Sequence, residues 1–208
     1  MYRLAALVSA LAVASCTHDP GPPPIVSIAD RACTAQPVLS NAKPVVLDGD
    51  KSVTVKLDGT APCWEADGAK SVYSMFDLPQ SPDPVLVSVL SDPLGQGVFA
   101  PRVIVLDGDQ HIMRELPRDS FMFHGASLYV GIRLHAGERY LIVASDPKTV
   151  GQQYTQASES TQVAAGAVVT GAAVGFFTVH TGSDSTSIYT YSYNGTVKVT
   201  AQPMPKGN

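Results

Sequence analysis

The chain has 208 residues, a formal net charge of −4, 45% hydrophobic residues and only 15% charged ones. That length carries one self-sufficient core, or one core with an appendage. The sparse charge and a pI near 5.6 argue against a concentrated basic surface and so against nucleic acid as a partner. Recurring apolar and aromatic residues exclude wholesale disorder.

The N-terminus, MYRLAALVSALAVASC, places Arg3 ahead of an apolar run from Leu4 to Val13 and ends on small residues. This is the layout of a secretory leader, and the run is too short for an ordinary membrane-spanning helix. Val13-Ala14-Ser15-Cys16 resembles the bacterial lipobox, with Val13 where leucine is usual. The resemblance implies that residues 1–15 are a signal peptide and that Cys16 carries lipid, making the membrane a partner through the acyl chains. The residue after Cys16 is Thr17 rather than the aspartate that retains lipoproteins at the inner membrane, which implies the outer membrane, facing the periplasm. Residues 16–43 open with Pro20, Pro22, Pro23 and Pro24, a run with few backbone donors that reads as a polyproline-like tether.

Once Cys16 is assigned to lipid, Cys33 and Cys63 remain, and two thiols in an oxidising compartment are expected to pair. Trp64 is expected to pack on that bridge. His18, His111, His124, His135 and His180 are scattered and no Cys-x-x-Cys occurs, so neither metal nor other cofactor is expected.

Residues 44–208 read as an all-β domain, an antiparallel β-sandwich of immunoglobulin-like or jelly-roll-like kind. Short Val-, Ile-, Leu- and aromatic-rich runs at 45–47, 52–57, 71–76, 85–90, 103–106, 111–116, 120–123, 128–134 and 140–144 are punctuated by Gly, Pro and Asp. Val53, Val55 and Leu57 alternate with polar residues, so one face meets the core and the other water. Asp48-Gly49-Asp50 and Asp107-Gly108-Asp109 read as hairpin turns in which glycine supplies a positive φ, ahead of calcium ligation. A last strand is expected at 195–201, with Val197 and Val199 inward.

Before that last strand comes an Ala/Gly/Val-rich insertion, VAAGAVVTGAAVGFFTV at 163–179, without a single charge. Gly171 and Gly175, and Gly166 with Thr170, have the small-xxx-small spacing of a helix-packing face. A membrane helix here spans about 26 Å against a hydrocarbon core of about 30 Å. Two readings stay open: a buried strand or hairpin, or a projecting segment that touches membrane or associates with itself. Tyr189, Tyr191 and Tyr193 alternate, so as a strand they share one face. They are candidates for a core contact, a protein-binding strip or a stacking platform for oligosaccharide, with an inward orientation favoured.

No nucleophile elbow, phosphate loop, dinucleotide fingerprint or zinc helix occurs. Asp107, Asp109 and Glu115 are the carboxylates left for a hydrolase reading. The stretch Phe121-Met122-Phe123-His124-Gly125-Ala126-Ser127-Leu128-Tyr129, with Gly137-Glu138-Arg139-Tyr140-Leu141-Ile142-Val143 and Asp146-Pro147 to Gly151, resembles the maltose-operon periplasmic protein family. That resemblance implies an envelope accessory protein linked to maltodextrin uptake. The expected function is a non-enzymatic, outer-membrane-anchored periplasmic lipoprotein that binds or assembles with another envelope component, or with itself. The alternatives are a carbohydrate-binding accessory of a maltodextrin-type uptake system and a secreted hydrolase.

Overall fold

The computed structural model describes residues 25, 27–66, 68–170 and 173–204, with the backbone alone for 157–170 and 173–185. The leader, Cys16, Pro20 to Pro24 and Gly171 lie outside the described residues. Among the described residues the chain is all β. Its strands are β1 (Lys43–Pro44), β2 (Ser52–Leu57), β3 (Cys63–Ala66), β4 (Ala69–Asp77), β5 (Val85–Asp92), β6 (Gly97–Phe99), β7 (Pro101–Leu106), β8 (Ile112–Leu116), β9 (Met122–His124), β10 (Ser127–Arg133), β11 (Tyr140–Ser145), β12 (Gln153–Thr170), β13 (Ala173–Ser192) and β14 (Gly195–Pro203).

Two sheets form the antiparallel sandwich. The first runs β1-β4-β11-β7-β8, with β3 also on β4, and the second runs β2-β14-β5-β10-β9. Their inner faces share one core: Val72, Phe76, Val103, Val105, Leu141 and Val143 from the first meet Val87, Val89, Leu128, Ile132, Val197 and Val199 from the second. In β5 and β14 burial alternates residue by residue, the mark of a sheet with water on its other side. β7 and β11 instead read PRVIVL and YLIVAS and are buried almost throughout. A strand apolar at every position needs cover on both faces.

That second cover comes from the chain ahead of the sandwich. Trp64, Tyr73, Met75, Ile104, Leu106, Ile142 and Ala144 form a separate cluster on the outer face of the first sheet, with Leu39 and Ala42 packed against it. Ile28 is 2% exposed and belongs to the main core. The Thr34 N–H donates to Cys63 O at 3.1 Å, the Glu65 N–H donates to Thr34 O at 2.9 Å, and the Val38 N–H donates to the Tyr73 hydroxyl at 3.0 Å. The Cys33–Cys63 disulfide staples this segment to β3.

Two local expectations are corrected. Successive strand residues point to opposite faces, so Cys63 enters the main core while Trp64 joins the outer cluster, its ring edge-on to Tyr73 at 6.3 Å. Trp64 therefore does not pack on the bridge beside it. The 107–111 turn does join two antiparallel strands, β7 and β8, but the positive φ falls on Gln110 at 70° and not on Gly108. The Asp107 carboxylate takes over the turn by accepting the N–H groups of Asp109 and His111 at 2.9 and 2.8 Å. At 48–51 the turn carries the chain from β1 in one sheet to β2 in the other, so it is no hairpin.

The staple yields a test. Replacing Cys33 and Cys63 by Ser is expected to cost about 3–4 kcal/mol for a loop of this size, or about 10 °C in thermal midpoint. Calorimetry of the mature protein checks it; a loss below about 1 kcal/mol, a third of the loop estimate, contradicts the stapled-cover account.

Candidate interaction surface

The segment before the last strand is a β-hairpin. β12 and β13 pair antiparallel in unbroken register from Gln153↔Thr190 to Thr170↔Ala173. The small-xxx-small positions are strand positions: Gly166 is the register partner of Phe177 and Gly175 that of Val168, so neither lies on a helix. Among the described residues β12 pairs with β13 alone, and β13 finds a further neighbour only where Thr190, Tyr191 and Ser192 run parallel to β6. Beyond that base the hairpin is a two-stranded ribbon with both edges open. At about 3.4 Å per residue its strands measure about 60 Å.

The base is tied to the sandwich through the backbone. The Tyr191 N–H donates to Gln152 O at 2.9 Å, and Tyr191 O accepts from the Gly151 N–H at 2.8 Å. The Thr190 N–H donates to Gln96 O at 2.8 Å, and the Ala100 N–H donates to Ser192 O at 3.1 Å. Leaving the ribbon, the chain turns into β14 at Gly195, where a Cβ would lie 2.6 Å from the Phe99 Cβ. Only glycine permits that approach.

Side chains form a collar around this base. Tyr154 and Tyr189 are register partners, and their rings stack at 5.4 Å and 21°. The Tyr154 ring also meets Tyr191 at 4.9 Å and Phe123 of β9 at 4.8 Å. Its hydroxyl donates to Ala126 O at 3.3 Å. Arg118 is buried beneath, with its guanidinium 4.8 Å from the Tyr191 ring centre and 5.2 Å from that of Phe123, and its Nε and one terminal N–H donate to the Tyr191 hydroxyl. Aromatic pairs contribute about 0.5–1.5 kcal/mol each beyond area burial, and a desolvated cation over a ring about as much or more. The collar is thus a joint of several kcal/mol rather than a loose contact.

The structure brings Tyr189 and Tyr191 together and places Tyr193 apart. Tyr191 is 5% exposed in the main core, Tyr189 is half-buried, and Tyr193 follows the strand and lines a different hollow with Ile25 and Lys70. Arg118, Phe123 and Tyr154 were not singled out by sequence reasoning. Tyr154 becomes visible as the partner of Tyr189 only when the two long strands are set in register. Around the collar Met122, Phe123 and Ile188 stand exposed at 66, 44 and 54%.

Elsewhere, Asp107, Asp109 and His111 crowd into one exposed turn with their donor atoms within 4.8 Å. The His111 N–H holds the Asp107 carboxyl below its ordinary range. Glu115 engages Arg102 at 3.3 Å instead of joining them. Trp64 lines a cavity of about 470 Å³ beside this turn, but Arg102 lies 5.2 Å from its ring centre and Tyr73 lies against its edge.

No protein-family model and no curated protein matches this chain. Among solved structures, the pre-peptidase C-terminal domain of a collagenase from Bacillus anthracis is similar at 11% identity, over 77% of this chain and 93% of that one, with a TM-score of 0.32.

The collar gives a pH test. Burial, reinforced by the neighbouring phenols, pushes Tyr154 well above the ordinary 10.0, and burial also raises Tyr191 and Tyr193, against the pull of Arg118 on Tyr191. A folded-state pKa raised above the unfolded one leaves stability intact below about pH 10 and removes it as pH climbs toward the folded-state values. Urea unfolding between pH 8 and 11 is therefore expected to show a falling alkaline limb that Tyr154→Phe makes shallower. An identical slope in the variant contradicts the placement of this hydroxyl.

Proposed function

We propose that this chain is a non-enzymatic lipoprotein, anchored through Cys16 at the periplasmic face of the outer membrane, that joins another envelope component through the β12–β13 ribbon. The observation that carries this reading is the ribbon's undefended edges. Long exposed strand edges template pairing with other chains, and proteins blunt them with lysine, proline or bulges. From Gln153 to Ser192 there is no Lys, Arg or Pro, and the register has no bulge. A two-stranded ribbon is at best marginally stable alone in water. A partner strand or surface is what such an element lacks.

The leader and lipobox-like Cys16 supply the address, and the proline run supplies reach between bilayer and sandwich. A stacking platform for oligosaccharide needs free ring faces. Tyr154 and Tyr191 commit theirs to each other, to Phe123 and to Arg118, and Tyr189 gives one face to Tyr154.

The test shortens the ribbon without disturbing its base. Removing the register partners Ser158 to Thr170 and Ala173 to Ser185 together keeps the collar and the residues at 171–172. The trimmed protein is expected to keep its thermal midpoint within a few degrees and to lose its crosslinked assemblies in intact cells. A companion Cys16→Ser protein is expected to leave the membrane fraction. Unchanged crosslinking of the trimmed protein, or unchanged membrane retention of Cys16→Ser, contradicts the corresponding half of the reading.

A further inference from the structure

We propose that the partner of the ribbon is the ribbon of the next copy: β13 of one chain lies beside β12 of its neighbour, and a ring of copies closes into a β-barrel that crosses the lipid bilayer. This rests on the reading of the ribbon as an assembly element and names what it assembles with.

Three placements carry it. The first is length. The outer register pairs, from Val163↔His180 to Thr170↔Ala173, are eight in number and contain no Asp, Glu, Lys or Arg. Tilted by about 35–45° as in membrane barrels, their length of about 27 Å gives about 19–22 Å of height, and the uncharged pairs below them, Gln162↔Thr181 to Ser160↔Ser183, extend it past an apolar band of about 25 Å. The nearest acidic residues, Glu159 and Asp184, are register partners of each other four pairs below Val163, outside that band.

The second is pattern. A strand with one face in water alternates polar and apolar residues. In 163–170 and 173–180 one parity, Ala164, Gly166 and Val168 with their register partners Val179, Phe177 and Gly175, is apolar as far as the last pair, Thr170↔Ala173, while the other adds Thr178 and His180 to Ala, Val and Phe. An apolar parity suits lipid, and a parity with a hydroxyl and an imidazole suits the interior of a barrel.

The third is the edges, and here the balance of costs decides. A lone hairpin in hydrocarbon leaves the outward N–H and C=O groups of both strands unpaired. Each such group costs more than burying a small side chain such as Ala returns, so the lone hairpin is excluded as a spanning form. Both edges must find strands. The hairpin offers an ascending strand at one edge and a descending strand at the other, so copies set side by side extend one antiparallel sheet. Repeated head-to-tail contact around an axis closes a ring with an even number of strands. The uncharged bands of all copies then fall at one height, with no repulsion between neighbours in the band.

The test reconstitutes the full-length lipidated protein into vesicles of phosphatidylethanolamine and phosphatidylglycerol. Single-cysteine proteins Ala165→Cys and Thr178→Cys are mixed and oxidised, Cys33 and Cys63 being already bridged; further positions along β13 are scanned to find the register between copies. The expected result is disulfide-linked dimers between the two variants, since each chain carries one free thiol, together with multimers of one closed size after lysine-reactive crosslinking, both formed in vesicles and with residues 163–180 shielded from added protease. Val168→Lys, which sets a charge in the band while leaving base and collar alone, is expected to lower multimer yield roughly thirtyfold, the penalty of a central cation in a membrane barrel. Monomeric protein with a protease-accessible ribbon overturns the proposal, as does an equal multimer yield from Val168→Lys. If vesicles give no multimers while trimming the ribbon still abolishes assemblies in cells, the partner is a different envelope protein: the ring fails and the assembly reading stands. Failure of both experiments removes both.

Discussion

Everything the ribbon can do depends on how its base is tied down. Three residues of β13 alongside β6, the backbone exchange between Tyr191 and the Gly151-Gln152 turn, and the stack of Tyr154, Tyr189 and Tyr191 over Arg118 make that tie. Without it a hairpin of this length would be a marginal structure tethered to a stable one. With it, the first pairs of the register are fixed by the sandwich and the rest propagate from them. Arg118 is the less expected member. A buried guanidinium usually faces a carboxylate; this one rests on ring faces and gives its Nε and one terminal N–H to a phenol oxygen.

The sandwich divides its labour in a way that supports this. The second sheet alternates and faces water, whereas the first is covered twice, once by its partner sheet and once by the stapled segment that carries Cys33, Leu39 and Ala42. The cover is also the route back toward the proline run and Cys16. Along the chain Ile28, in the main core, precedes the disulfide and β3, and Ile25 lies beside Gly151 at the ribbon base.

Much of the sandwich is legible in the sequence because its strands obey simple patterns. Val53, Val55 and Leu57 alternate, Val197 and Val199 face the core, and the Cys33–Cys63 pair follows from counting thiols once Cys16 is set aside. Strands β3 and β6 are not legible: Cys63–Ala66 and Gly97–Phe99 are too short to show a period and are defined by their neighbours. The ribbon was ambiguous for a physical reason. Uncharged Ala, Gly and Val at both parities erase the alternation that distinguishes strand from helix, and small-xxx-small spacing arises in such composition without any helix. The collar was half legible, since parity grouped the tyrosines while Arg118, Phe123 and Tyr154 depend on long-range register that no local pattern encodes.

The central claim is that the ribbon's free edges become covered in the envelope. Backbone hydrogen exchange over 163–170 and 173–180 tests it most directly, comparing full-length protein dispersed in detergent with the same protein in native outer-membrane fractions. The account predicts fast exchange of the outward, unpaired amides in the dispersed protein and strong protection of those same amides in the membrane fraction. Equal exchange in the two states would mean that nothing pairs with the ribbon where the protein works, and would contradict the account.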